Sequence, residues 1–241
     1  MKKMIIAVAL AFGFMTSTAH NNEQNEQVNQ QGIANLDGAS VETIQPYLQE
    51  VRNAQSREEL LKVMCALDAK GFDTALFDLE VKANPFNDSE YMVRVEPSAA
   101  TLPWEYYAKP NEQQQAVVDA IRSQNKELFM KVGYSDAEAE QKMQAAWIIE
   151  HQMGIKALHQ TGQQPAQAAN HMMSWDQLCN DYKGIDWDTY RDIIGCPKDI
   201  NMVIIPQEEP LHMAEYILTN TGIESLKAYM ELHVIKTKAT N

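Results

Sequence analysis

Six histidines and three cysteines are the side chains of this sequence best suited to hold a metal or activate a nucleophile, so their spacing comes first. A helical zinc site of the H-E-x-x-H kind needs two imidazoles four residues apart. Only then do both leave one face of a helix, with the glutamate between them as general base. Glu150 precedes His151 here, but Gln152, Met153 and Gly154 follow it. His159 and His171 are followed by Gln160 and Met172, His233 has no partner one turn away, and His20 stands near the amino terminus. His212-Met213-Ala214-Glu215 opens the inverted H-x-x-E-H order, yet Tyr216 takes the place of its second histidine. A site assembled from separate segments could join Glu150 and His151 with His159. The plainer reading, a satisfied histidine on a solvated helix face, is preferred because fixed ligands usually come with a closer partner. No serine stands in G-x-S-x-G, and there is no phosphate-cradling glycine loop. The expectation is no catalytic, cofactor-binding or metal-binding residue.

The cysteines point the same way. Cys65, Cys179 and Cys196 lack the C-x-x-C spacing of a metal or redox pair. Cys65 lies on the apolar face of a predicted helix and reads as an inert core thiol. Cys179 and Cys196 flank a short helical hairpin and could form a bridge, a geometry that spacing cannot test.

The elements that must position these side chains are mostly helical. Lys2 and Lys3 precede the apolar run Met4 to Met15, and Ser17-Thr18-Ala19 supplies small residues, so residues 1–19 read as a secretory signal peptide. The run is too short to be a membrane span, and the expectation is an exported protein, periplasmic or extracellular. Residues 20–39 are rich in Asn, Gln, Glu and Gly and read as a polar flexible tail ahead of a helical domain over 40–241, with order expected near Val41. Without Lys2 and Lys3 there are 18 basic against 33 acidic residues, a net charge of −15 with no basic patch, which argues against nucleic acid or an anionic membrane as partner.

Ile44, Tyr47, Leu48 and Val51 mark one helix. Ser56 with Glu59 is a capping box opening another through Leu60, Leu61, Met64 and Leu67. The period then changes from helical to alternating. Phe77, Leu79 and Val81, then Tyr91, Val93 and Val95, predict a β-hairpin over about 77–96 with one covered face, the only sheet expected. An aromatic turn (Leu102, Pro103, Trp104, Tyr106, Tyr107) leads into a helix whose Val117, Ile121, Leu128 and Val132 form one stripe. Gly133 suits a left-handed cap, and Ser135 with Glu138 opens an antiparallel helix running to about His159. A loop follows over Gly162 to Ala169, then short helices capped by Ser174 and Asp186. Met202 to Ile205 reads as strand or extended chain. The last two helices are expected from Glu209 and, behind a Thr221–Glu224 capping box, from Gly222 to Lys238.

The order Leu102-Pro103, Glu105, Tyr106-Tyr107, long helix, then Gly133-Tyr134-Ser135 and Ala137-Glu138-Ala139 resembles the N-terminal, non-catalytic domain of neprilysin-like and endothelin-converting-enzyme-like zinc metalloendopeptidases. The resemblance continues in register from about Leu36 to Lys238. It includes the hairpin, Pro165, Asn170, Met172, Trp175 and Leu178, and the closing helix with Leu226-Lys227-Ala228-Tyr229 and His233. Gln163, Gln164 and Ala169 stand where the family carries arginine, aspartate and tyrosine.

The resemblance implies a mainly α, lid-type domain over a zinc cleft that admits peptides. Zinc and H-E-x-x-H would belong to a catalytic half that these residues lack, and the polar tail would replace the family's upstream signature. The chain is then expected to be a secreted homologue without its own activity, possessing no cofactor and partnered by a separate catalytic chain or by a second copy of itself. A stand-alone binding module for apolar peptides is the alternative, with Met143, Met153, Met172 and Met173 and the turn at Trp104 to Tyr107 as a groove. Methionines on helix faces are more often core.

Overall fold

Side-chain caps fix most of the helix starts. In the computed structural model, which describes residues 38–73, 75–84, 87–98, 100–156 and 171–239, Ser56 Oγ accepts the Glu59 N–H at 3.1 Å and Ser135 Oγ accepts that of Glu138 at 3.4 Å. These caps open α2 (Arg57–Ala69) and α5 (Asp136–Lys156). Ahead of α2, α1 covers Gly38–Asn53 and so begins before Val41, with Pro46 inside it. The predicted signal peptide, most of the predicted tail and the expected loop at 162–169 lie outside the described residues.

The hairpin forms as β1 (Phe77–Asn84) and β2 (Asn87–Pro97), antiparallel with Val81 opposite Val93. The turn after it winds into α3 (Glu105–Ala108), and an Asn111–Gln114 capping box starts α4 (Glu112–Lys131). Gly133 adopts a φ of 103° between α4 and α5, the left-handed turn expected of it. Beyond α5 come β3 (His171–Ser174), α6 (Trp175–Asp181), α7 (Trp187–Ile193), β4 (Met202–Ile205), α8 (Glu208–Asn220) and α9 (Ile223–Ala239).

The sheet is larger than the one hairpin expected. Its order is β1-β2-β4-β3, with β4 parallel to β2 and antiparallel to β3. Pairing with β4 makes β2 an interior strand of the sheet rather than an edge. Met92, expected outward, is buried, while Tyr91, expected inward, is 63% exposed near the end of the ladder. The α4 stripe holds at Ile121, Leu128 and Val132, which are buried as expected, while at its first position Val118 is buried and Val117 only half-buried. The expected Thr221–Glu224 box does not form. The helix starts at Ile223, and the Glu224 carboxylate pairs with Lys227 at 3.0 Å instead.

One hydrophobic core joins the helices to the inner face of the sheet. Phe77 packs against Trp187 and Tyr190 at ring-centroid distances of 5.2 and 5.7 Å, which ties β1 to α7. The three cysteines are free thiols, so the bridge considered between Cys179 and Cys196 is not made. Cys65 is a buried core residue, and burial pushes its thiol well above the ordinary range. No described helix is long and apolar enough to cross a membrane.

Candidate functional site

The aromatic turn points inward, and the residue it points at is Glu150. The one-turn helix α3 aims Tyr107 across α5 at Gly154, where any β-carbon would come within 2.2 Å of the Tyr107 ring. Glycine is therefore required by close approach rather than by backbone angle. The ring stacks on Trp147 at 5.6 Å, and its hydroxyl donates to Glu150 Oε1 at 2.7 Å while accepting the Leu102 N–H at 2.9 Å. The Thr101 N–H also donates to Glu150, and the Tyr229 hydroxyl of α9 lies 3.2 Å from its other oxygen.

Burial of Glu150 opposes ionisation. The positive charge of Lys236 and the Thr101 and Tyr107 donors outweigh it and hold the carboxyl below its ordinary value. Burial lowers the Lys236 ammonium in turn, against the charges of Glu150 and Asp73. Both phenols, Tyr107 and Tyr229, are pushed up, first by burial and then by the Glu150 charge. Glu150 is thus a fixed anion accepting hydrogen bonds from donors that stay protonated. That arrangement ties α3 and α9 to α5.

The network continues along α9 to the surface. His233 Nδ1 meets Asp73 Oδ2 at 2.8 Å, and the Asp73 N–H donates to Thr237 Oγ1 at 3.1 Å, docking the turn between α2 and β1. Burial would raise the Asp73 carboxyl, but His233, the Ala75 N–H and Lys236 bring it down to about 2.

A second buried carboxylate lies further along the same helix pair. Glu231 of α9 is fully buried. It pairs with Arg52 Nε of α1 at 3.0 Å and with Lys142 Nζ of α5 at 2.7 Å, and it accepts the Tyr134 hydroxyl at 2.6 Å. The Tyr134 ring also takes both cations on its face, with the Arg52 Cζ 4.8 Å and the Lys142 Nζ 4.6 Å from its centroid. The helices are clasped reciprocally: α5 sends Glu150 to Tyr229, and α9 sends Glu231 to Lys142.

Each candidate ligand among the described residues is engaged elsewhere. His151 Nε2 sits 3.1 Å from the Tyr107 carbonyl oxygen, while Glu150, its neighbour, faces the core; His159 lies outside the described residues. His212 stacks on Tyr182 at 4.6 Å, and Glu215 accepts the Gly184 N–H at 2.7 Å. His171 meets Glu208 at 3.4 Å. Among the described residues no three His, Cys, Asp or Glu side chains are grouped as a metal would require, so the donors placed here do not fit zinc. Met143, Met153 and Met173 are buried in the core, and Met172 is exposed at the sheet edge. Sequence reasoning missed Glu231. Its signal was an acidic residue between Met230 and Leu232, near the middle of a helix with little amphipathic contrast.

Residues 25–241 match the family described as Peptidase family M13, over its N-terminal domain. No curated protein sequence matches. Among solved structures, the chain is similar to the zinc metalloprotease Zmp1 of Mycobacterium tuberculosis in complex with inhibitor, with 18% identity and a TM-score of 0.69 over 89% of this chain and 36% of that one. It is similar to the open state of Zmp1 with 17% identity and a TM-score of 0.69 over 94% and 40% of the two chains. PepO from Lactobacillus rhamnosis HN001 follows with 14% identity and a TM-score of 0.61 over 91% and 35%. The chain spans well under half the length of these proteins, and the likeness is one of fold.

Proposed function

The chain belongs to peptidase family M13, whose N-terminal domain it carries, and on that premise we propose that it is the lid region of an exported zinc endopeptidase system, admitting peptides to a cleft without hydrolysing them itself. The observation that carries this reading is the reciprocal α5–α9 clasp. It commits Glu150, the carboxylate next to a histidine in the sequence, to tying α3 and α9 to α5. The remaining described histidines are likewise bound to ring, carbonyl or carboxylate partners. Zinc and the general base belong, in this reading, to an H-E-x-x-H region that works with these residues.

A second reading, a module binding apolar peptides, draws on one feature. Ile148 and Ile155 are two turns apart on α5 and stand 58% and 38% exposed. Such a stripe suits either a catalytic partner region or a peptide.

Zinc content and cleavage of an unstructured peptide by the purified chain separate these readings from catalysis. The expected result is neither stoichiometric zinc nor chelator-sensitive cleavage, with peptide hydrolysis appearing only when an H-E-x-x-H region of the family is supplied. Zinc-dependent cleavage by the chain alone overturns the proposal. Tight binding of apolar peptides by a monomer indifferent to that region favours the module instead.

A further inference from the structure

No further inference is drawn: the strongest candidate, the acidic notch of about 180 Å³ between the α2–β1 turn and the hairpin, lined by Asp68, Asp73, Asp78 and Glu96, is a carboxylate cluster engaged within the fold by Tyr190 and His233, with no second observation that points to a ligand.

Discussion

Glu150 and Glu231 sit on the two helices of one pair, each reaching across to the other, and they are satisfied by opposite means. Glu150 is met by two phenols and a backbone amide, with a single ammonium acting through space. Glu231 is met directly by two cations and one phenol. Removing the first strands neutral donors; removing the second leaves two half-buried cations without their shared partner. Uncompensated buried charge is the costlier outcome, although an intact buried ion pair contributes little net stability. The Glu231 centre therefore specifies how three helices meet more than it adds to the free energy of folding. The Glu150 centre does the same for the aromatic turn at a lower penalty for failure.

The comparison breaks first at Glu231. Glu231→Leu is expected to cost about 3–5 kcal/mol, read as a fall in the urea midpoint, because Arg52 and Lys142 lose their common partner. Replacing Lys142 by Met in the same chain should recover part of that loss. If Glu231→Leu is as stable as the parent, the two centres are not different in kind. Glu150→Gln keeps one acceptor oxygen, enough for Tyr107 or Tyr229 but not both, turns an N–H donor towards the other phenol and loses the charge, so about 1–3 kcal/mol is expected by the same measurement. A larger loss than for Glu231→Leu would invert the ordering.

Gly154→Ala probes the approach of the turn rather than the carboxylate. Its methyl would displace the Tyr107 ring, with an expected cost of about 1–3 kcal/mol and a changed near-ultraviolet circular dichroism signal from Tyr107 and Trp147. An unaltered spectrum and midpoint would mean that the ring is not held against α5. Tyr229→Phe removes one hydroxyl and should cost about 1 kcal/mol.

Acid sharpens the contrast most gently. Asp73 and Glu150 both have folded-state pKa values below their ordinary ones, so their contribution is present above the ordinary values and is lost as pH falls through the lowered ones, for Asp73 towards about 2. Urea midpoints between pH 5 and pH 2.5 should decline, and Asp73→Asn should flatten part of the decline. An unchanged slope in that variant would remove Asp73 from the account.

Local chemistry was legible; distant pairing was not. Ser56, Ser135, Ser174 and Asp186 announced their helices because a cap needs only residues three positions apart. Gly133 likewise announced its turn. The full sheet was hidden because β4 has four residues, too few for a period to emerge, and its partner β2 lies far back in the chain. Tyr91 and Met92 were misplaced as well, since alternation within the hairpin does not show what packs on its two faces. Glu150 drew attention beside His151 as a ligand pair. Its actual partners, Tyr107 and Tyr229, come from elements before and after it, and no spacing rule joins those three positions. The family resemblance carried the helical architecture further than periodicity alone could.

The parallel pairing of Val93 with Val203 has a consequence for how the protein is made. During synthesis the hairpin emerges early, but its inner edge has no strand to meet until β4 leaves the ribosome, after α3 to α7 have been translated. Parallel, long-range closure of this kind is slow and leaves a strand edge open to other chains. Nascent chains arrested before residue 202 should therefore lean on chaperones, and those released after 205 should not.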